Sequence, residues 1–240
     1  MKAFACLALP ADHPFWQAEE KEPQVSALTL QPHARMLIAR SGDGSHVMAF
    51  TAGNRAHEHS HDEAKYEKFV YSTVFGFSVS KAQKLLRGGA FDNMLALSED
   101  GDTYHPRYGC GEYQLLPDRV ISVWKPFAGV EVESTLIHMG EWHVRIHRIR
   151  SDRELYAAEG GYAISRDGEG KALVSQTNDE ALAQAPWGLS GIKALKGYGG
   201  ALVVVPEPNT NLMAPRTFLP TLTARLPKGE SVLVCAVLGT

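Results

Sequence analysis

Apolar and polar residues alternate with a period of two along most of this chain, and this alternation restricts its fold more than any other feature. Successive side chains of a β-strand point to opposite faces, so the pattern indicates strands that bury one face. We predict strands over 34–40, 46–51, 69–79, 93–98, 119–125, 130–138, 142–149, 154–165, 171–176, 200–205, 221–226 and 231–238. Turn signals separate them, which favours an all-β protein, a large antiparallel β-sandwich of the supersandwich type with little helix.

Helix is expected in two short segments only. Residues 179–185 are predicted to form one short helix, and residues 1–8 the end of another. The chain has 240 residues, of which 44% are hydrophobic, so it can bury a sizeable core. It contains no internal repeat or low-complexity linker.

Charge and cysteine content exclude several classes of protein. A net charge of −3 gives no electrostatic basis for binding nucleic acid or an anionic membrane surface. Cys6, Cys110 and Cys235 are widely spaced and are expected to be reduced, buried thiols. We find no cleavable leader and no apolar run of 18 residues, and we expect a cytoplasmic protein that does not enter a membrane.

A histidine-rich segment lies immediately before the predicted strand 69–79. His57, His59 and His61 alternate, and Lys65 and Tyr66 follow them. Two of these imidazoles could share a metal ion on one strand face, with His57 and His59 as the metal candidates. All three cannot share one ion, because His57 and His61 would lie roughly 13 Å apart along an extended chain. A solvated loop, a lip that binds sugars or carboxylates, and a metal site therefore all fit the segment.

The predicted strand 142–149 divides its residues between an apolar and a basic face. Trp142, Val144 and Ile146 alternate with His143, Arg145 and His147. We expect the apolar set to be core, together with Phe69, Tyr71, Phe75 and Phe77. The basic set is expected to face water or to line a groove in which Arg145 holds a carboxylate with two parallel hydrogen bonds. Arg107, in a loop rich in Gly and aromatic residues, is a second candidate for such a contact.

Common catalytic motifs are missing from the sequence. It has no glycine-rich phosphate loop, no dinucleotide fingerprint, no G-x-S-x-G and no H-E-x-x-H. We therefore predict no cofactor.

Two long strings carry a family resemblance: HDEAKYEKFVYSTVFGFSV at 61–79 and PNTNLMAPRTFLPTL at 208–222. With them, nearly the whole chain resembles the C-terminal part of a bacterial family catalogued as domain of unknown function 2264. The resemblance implies a β-sandwich that follows an N-terminal α/α-toroid, as in heparinase-type polysaccharide lyases and β-glucuronidase-like relatives. Residues 1–20 would then be the tail of the helical domain and a connector, and residues 21–240 the sandwich.

The resemblance also implies a function. We expect a domain of a carbohydrate-active enzyme, a glycoside hydrolase or polysaccharide lyase, that lines the cleft for a uronic-acid-containing glycan and is inactive alone. The expected substrate contacts are His59, His61, Lys65, Tyr66, Arg107 and Arg145, and the best catalytic candidates are His61 and Tyr66. The expected partners are an acidic oligosaccharide, the missing toroid and a second copy of the chain. The alternative is a purely structural or metal-binding sandwich.

Overall fold

The chain folds into antiparallel β-sheets. The computed structural model describes residues 28–31, 36–40, 46–51, 65–70, 73–75, 95–101, 104–106, 112–116, 119–139, 142–161, 164–166, 173–185, 188–204 and 216–239. These residues form 19 strands in three sheets and contain no helix. The described part accordingly offers no helix long and apolar enough to cross a membrane. The predicted all-β antiparallel fold is confirmed.

The first five strands form one sheet in chain order, here called the N-terminal sheet. They are β1 (Leu28–Gln31), β2 (Met36–Arg40), β3 (His46–Thr51), β4 (Lys65–Val70) and β5 (Thr73–Phe75). Sequential strands that pair as neighbours need only short connections, which is the simplest way to build an antiparallel sheet.

The prediction of one continuous strand over 69–79 is wrong. β4 and β5 form a hairpin in which Phe69 pairs with Val74 and Lys68 with Phe75. Paired residues of an antiparallel ladder share a face, so the positions of Phe69 and Phe75 fall on opposite faces of the hairpin. The odd-numbered positions therefore do not form one face. Tyr71 and Phe77 lie outside the described residues.

The largest sheet, here called the large sheet, has eight strands. Across the sheet they are β14 (Leu173–Gln176), β15 (Glu180–Ala185), β16 (Gly188–Lys196), β19 (Gly229–Gly239), β11 (Trp142–Ser151), β10 (Val130–Met139), β9 (Arg119–Trp124) and β8 (Glu112–Leu115). The longest strands lie at its centre, where each has a partner on both sides.

The small sheet packs against the large one. Its strands are β13 (Ile164–Arg166), β18 (Arg216–Leu226), β12 (Leu155–Gly160), β6 (Leu95–Ser98) and β7 (His105–Pro106), with β17 (Gly200–Val204) also paired to β18. The predicted strand 154–165 is thus divided into β12 and β13, both of which pair with β18.

The sandwich core lies between these two sheets. It contains Trp124, Val130, Val132, Ile149 and Leu233 from the large-sheet side and Leu95, Leu97, Leu155, Ala157, Ala224 and Leu226 from the small sheet. In β9 to β11 every second residue is buried, as expected for strands with one face toward the core. The small sheet is apolar on its other face too, where Ala96, Tyr104, Ala158 and Leu219 form a second cluster.

The helix predicted over 179–185 is wrong, because Glu180–Ala185 is strand β15. Its residues are good helix formers, but Ala181 and Ala183 are buried while Gln184 is exposed. This period of two lets β15 pair with both β14 and β16. Tertiary pairing thus overrides local helix propensity.

Replacing Leu97 with Ala should lower the free energy of unfolding by about 2–5 kcal/mol, because it leaves a cavity in the inter-sheet core. Leu195→Ala is the matched control, since Leu195 is 56% exposed and should change stability by no more than about 0.5 kcal/mol. Urea unfolding followed by circular dichroism measures both. Equal losses for the two variants would contradict this assignment of the core.

Candidate functional site

The two faces of β11 are the reverse of those expected from the sequence. His143, Arg145 and His147 are buried, with Arg145 at 0% exposure, whereas Trp142 is 43% exposed. Val144 and Ile146 are only partly buried. The expectation that the basic set faces water or an open groove is therefore wrong, and so is the assignment of Trp142 to the core.

An acidic partner in the facing sheet explains why this basic row is buried. Glu159 of β12 is 0% exposed and points between the sheets. Nη1 of Arg145 donates to Oε1 of Glu159 and, at 2.6 Å, to the carbonyl oxygen of Gly160. Nε of Arg145 donates to Nε2 of His143 at 2.7 Å. A buried charge is tolerated when it is paired and hydrogen-bonded, and these contacts meet both conditions.

A chain of polar side chains approaches the same carboxylate from the large sheet. The indole N–H of Trp124 donates to Ser134 Oγ at 3.2 Å, and Ser134 Oγ lies 2.8 Å from His147 Nδ1. Nε2 of His147 lies 3.0 Å from Oε2 of Glu159, which is ion-pair distance, although its N–H is poorly aligned with that oxygen. A lone pair on Nε2 would repel the carboxylate, so we assign a proton to this nitrogen.

Glu159 is held as an anion inside the protein. Burial acts to raise its pKa, but the electrostatic attraction of His147 and Arg145, together with the hydrogen bond from Arg145, outweighs burial, and the pKa is lowered. The carboxylate therefore stays ionised in spite of its complete burial.

Tyr198 and Cys235 lie beside this network. Burial raises the pKa of both groups, and the negative charge of Glu159 raises both further. Gly197, at φ +83°, brings Tyr198 to this place, since a Cβ there would meet the Val232 carbonyl oxygen at 2.4 Å. Cys235 is a free, buried thiol, as predicted, and its raised pKa makes it unreactive.

The network is closed to substrates. Ser134, His147 and Glu159 have the composition of a nucleophilic triad. However, Ser134 is only 5% exposed, and its oxygen already accepts the indole N–H of Trp124. A nucleophile must reach the reacting atom of a substrate. The arrangement therefore acts as a polar tie between the sheets.

The expected lip of the N-terminal sheet is described in part. Lys65 and Tyr66 begin β4, where they pair with Thr51 and Phe50 of β3. As neighbours in one strand, their positions lie on opposite faces of the sheet. His57, His59, His61 and Arg107 lie outside the described residues. Within the described part of the chain, no group of three His, Cys, Asp or Glu residues is arranged to hold a metal ion.

An open depression lies at the turn between β9 and β10. It has a volume of about 600 Å³, and its lining includes Lys125, Phe127, Glu131 and Arg150. Lys125 and Glu131 form an exposed ion pair at 3.5 Å. Exposed pairs of this kind contribute little to stability.

Comparison with family models identifies the chain. Residues 23–240 match the model described as the DUF2264 C-terminal domain. The chain belongs to the DUF2264 family. The resemblance of its two long strings to this family is thus confirmed. No curated protein matches the DUF2264 chain.

Solved structures share the fold at low sequence identity. The heparan sulfate lyase HepC from Pedobacter heparinus matches with a TM-score of 0.66 and 10% identity over 99% of this chain and 40% of that chain. A heparinase III matches with a TM-score of 0.64 and 10% identity over 93% of this chain and 37% of that chain. The chondroitin AC lyase of Streptomyces coelicolor A3 matches with a TM-score of 0.52 and 10% identity over 92% of this chain and 34% of that chain. The DUF2264 chain thus spans less than half of the lyase chains that it matches, and shares the fold of that part.

Replacing Glu159 with Gln should cost about 3–5 kcal/mol of unfolding free energy, because it leaves Arg145 as an uncompensated buried charge. Glu154→Gln is the matched control: Glu154 pairs with Arg225 on the surface, where loss of the pair costs at most about 1 kcal/mol. Chemical unfolding at neutral pH measures both. A Glu159→Gln protein as stable as the control would refute the tie.

The contribution of Glu159 to stability should depend on pH. Since its pKa is lower in the folded state than in the unfolded chain, the contribution is complete above the unfolded pKa, about 4.3 for Glu. It is lost as the pH falls through the folded pKa. Unfolding free energies of the wild type and of Glu159→Gln should therefore converge in acid. A difference that stays constant from neutral pH into acid would contradict this prediction.

Proposed function

We propose that this chain is the sandwich domain of a carbohydrate-active enzyme that acts on a uronic-acid-containing glycan, as a glycoside hydrolase or a polysaccharide lyase. One observation carries the proposal: 99% of the chain superposes on a part of a heparan sulfate lyase. A chondroitin lyase, solved with chondroitin sulphate, shares the fold as well. Heparan sulfate and chondroitin sulphate are both acidic polysaccharides, which supports an acidic glycan as the substrate class.

The proposed site is the start of β4 and the histidine segment before it. Lys65 and Tyr66 would supply a cation and a phenol from the two faces of the sheet at the start of β4, where pairing with β3 holds their backbone in place. His59, His61 and Arg107 would add further donors for a uronate carboxylate. His61 and Tyr66 are the proposed acid–base pair, because imidazole and phenol groups exchange protons in catalysis.

Arg145 does not take part in this proposed site. Its guanidinium is engaged with Glu159 and the Gly160 carbonyl inside the sandwich. Direct contact with a glycan would require the pair to open, which would leave the charge of Glu159 without its partner. Arg145 therefore supports the fold on which the site is built.

We further propose that the cleft is shared with a preceding helical domain. HepC is about two and a half times as long as the part superposed on this chain, since that part is 40% of the HepC chain. The segment 1–20 would connect the two domains. The chain alone is then expected to bind a glycan weakly and to turn it over little or not at all. A hydrolase of the β-glucuronidase type and a cytoplasmic location remain predictions.

Binding of defined oligosaccharides tests the proposal. Heparan sulfate and chondroitin sulphate fragments should bind to the chain, and a neutral glucan of the same length should not. Tyr66→Phe or Lys65→Ala should each weaken binding about 10-fold or more, since hydrogen bonds to charged groups are the strong ones. Isothermal titration calorimetry measures the affinities.

Lys68→Ala is the matched control, because Lys68 carries the same charge in the middle of β4, away from its start. It should leave the affinity nearly unchanged. Equal affinity for acidic and neutral glycans, or equal loss for Lys65→Ala and Lys68→Ala, would contradict the proposed site. Absence of any binding would favour a purely structural sandwich.

A further inference from the structure

The outer face of the large sheet is apolar over much of its length. An antiparallel sheet that covers a core on one face usually carries polar residues on the other. In β9, β10, β11 and β19, the outward positions toward one end are instead apolar or uncharged except for one arginine: Arg119, Ile121, Thr135, Ile137, Met139, Trp142, Val144, Ile146, Val234, Ala236 and Leu238. Met139 and Trp142 are 63% and 43% exposed, respectively. A contiguous apolar patch of this kind marks an interaction surface.

Charged residues close the other end of this face in a regular order. The outermost row across β9, β10, β11 and β19 reads Lys125, Glu131, Arg150, Glu230. Neighbours along it are 3.5, 3.9 and 2.8 Å apart. The signs alternate from positive to negative along the row. The next row carries Glu133 and Arg148 at its centre, 3.7 Å apart.

When either charged row is laid against a copy of itself that runs in the opposite direction, each charge meets a charge of the opposite sign. Rotation by 180° about an axis parallel to the strands, between β10 and β11, places Lys125 against Glu230 of a second copy and Glu131 against its Arg150. The same rotation places Glu133 against Arg148 of the second copy. In the apolar rows it brings Ile137 against Val144 of the second copy. A two-fold interface requires this self-complementarity, and an unrelated partner does not.

We propose that this face is the interface of a symmetric homodimer, in which two large sheets pack through β9, β10, β11 and β19. Four strands about 4.8 Å apart, the longest of them 11 residues long, cover roughly 19 Å by 30 Å of sheet. Side chains corrugate this surface, which brings its accessible area toward the roughly 800 Å² per partner of a stable complex. Packed sheets commonly align within about 30°, so the charged rows of the two copies remain close.

A pair of single-sign variants tests the proposed charge order. Glu131→Lys with Glu230→Lys makes the row entirely positive, and Lys125→Glu with Arg150→Glu makes it entirely negative. Each variant faces like charges in its own dimer, so its dimerisation should weaken about 100-fold or more. An equimolar mixture should restore a heterodimer. Sedimentation velocity distinguishes it from the 26.2 kDa monomer.

A second pair of variants tests the apolar rows. Ile146→Lys, at the centre of the patch, should convert the wild-type dimer into a monomer. Leu173→Lys is the matched control, because Leu173 is 71% exposed on the edge strand β14 and lies outside the patch. It should leave the dimer intact. Circular dichroism melting checks that each variant is folded.

Three results would overturn the proposal. The wild-type chain could sediment as a monomer at all concentrations, which would leave the patch to a different partner. Single-sign variants could dimerise as well as the wild type, which would mean that the charged residues pair only within one sheet and not across the interface. Mixed single-sign variants that both remain monomeric would exclude the two-fold pairing. None of these outcomes bears on the glycan proposal, which concerns the N-terminal sheet.

Discussion

Glu159 joins the two sheets of the sandwich electrostatically, and the arrangement of the residues around it depends on its charge. Its carboxylate is completely buried and is met by Arg145 and His147 from the opposite sheet. Removing such charges from water costs several kcal/mol per ion, which their mutual attraction offsets only when the geometry is good. The contact therefore determines which residues face inward more than it adds to the total stability. It commits β11 to one of its two faces.

The rest of the sandwich is consistent with this division. Along β11 the inward face changes from apolar at Ile149 to ionisable at His147 and Arg145, and along β12 it changes from Ala157 to Glu159. The apolar part supplies the hydrophobic stabilisation, while the polar part sets the match between the sheets. The polar part is sealed from solvent, so both proposed binding sites lie on the surface of the protein. They are the start of β4 for a glycan and the outer face of the large sheet for a second copy.

The sequence predicts well where residues alternate between the two faces of a strand, and poorly which of the two faces is buried. The strands around 46–51, 119–124 and 130–139 could be recognised because their alternation is regular. In β11 the same alternation predicts the wrong inward face, because the acid that neutralises Arg145 comes from another strand. The basic residues of β11 stand out in the sequence, whereas Ser134 and Glu159 do not, since nothing near them in the sequence indicates a buried partner. Tyr71 and Ser72, the two residues between β4 and β5, include no Gly, Asn or Pro, so no turn signal separates these strands in the sequence.

A double-mutant cycle on Arg145 and Glu159 tests the tie between the sheets most directly. Arg145→Met and Glu159→Leu each leave one buried charge without its partner, and each should cost about 3–5 kcal/mol of unfolding free energy. The double variant removes both charges and should cost at least about 3 kcal/mol less than the sum of the two, since residues of one network couple strongly. Additive losses, within about 0.5 kcal/mol, would show that the two side chains act independently and would contradict the account.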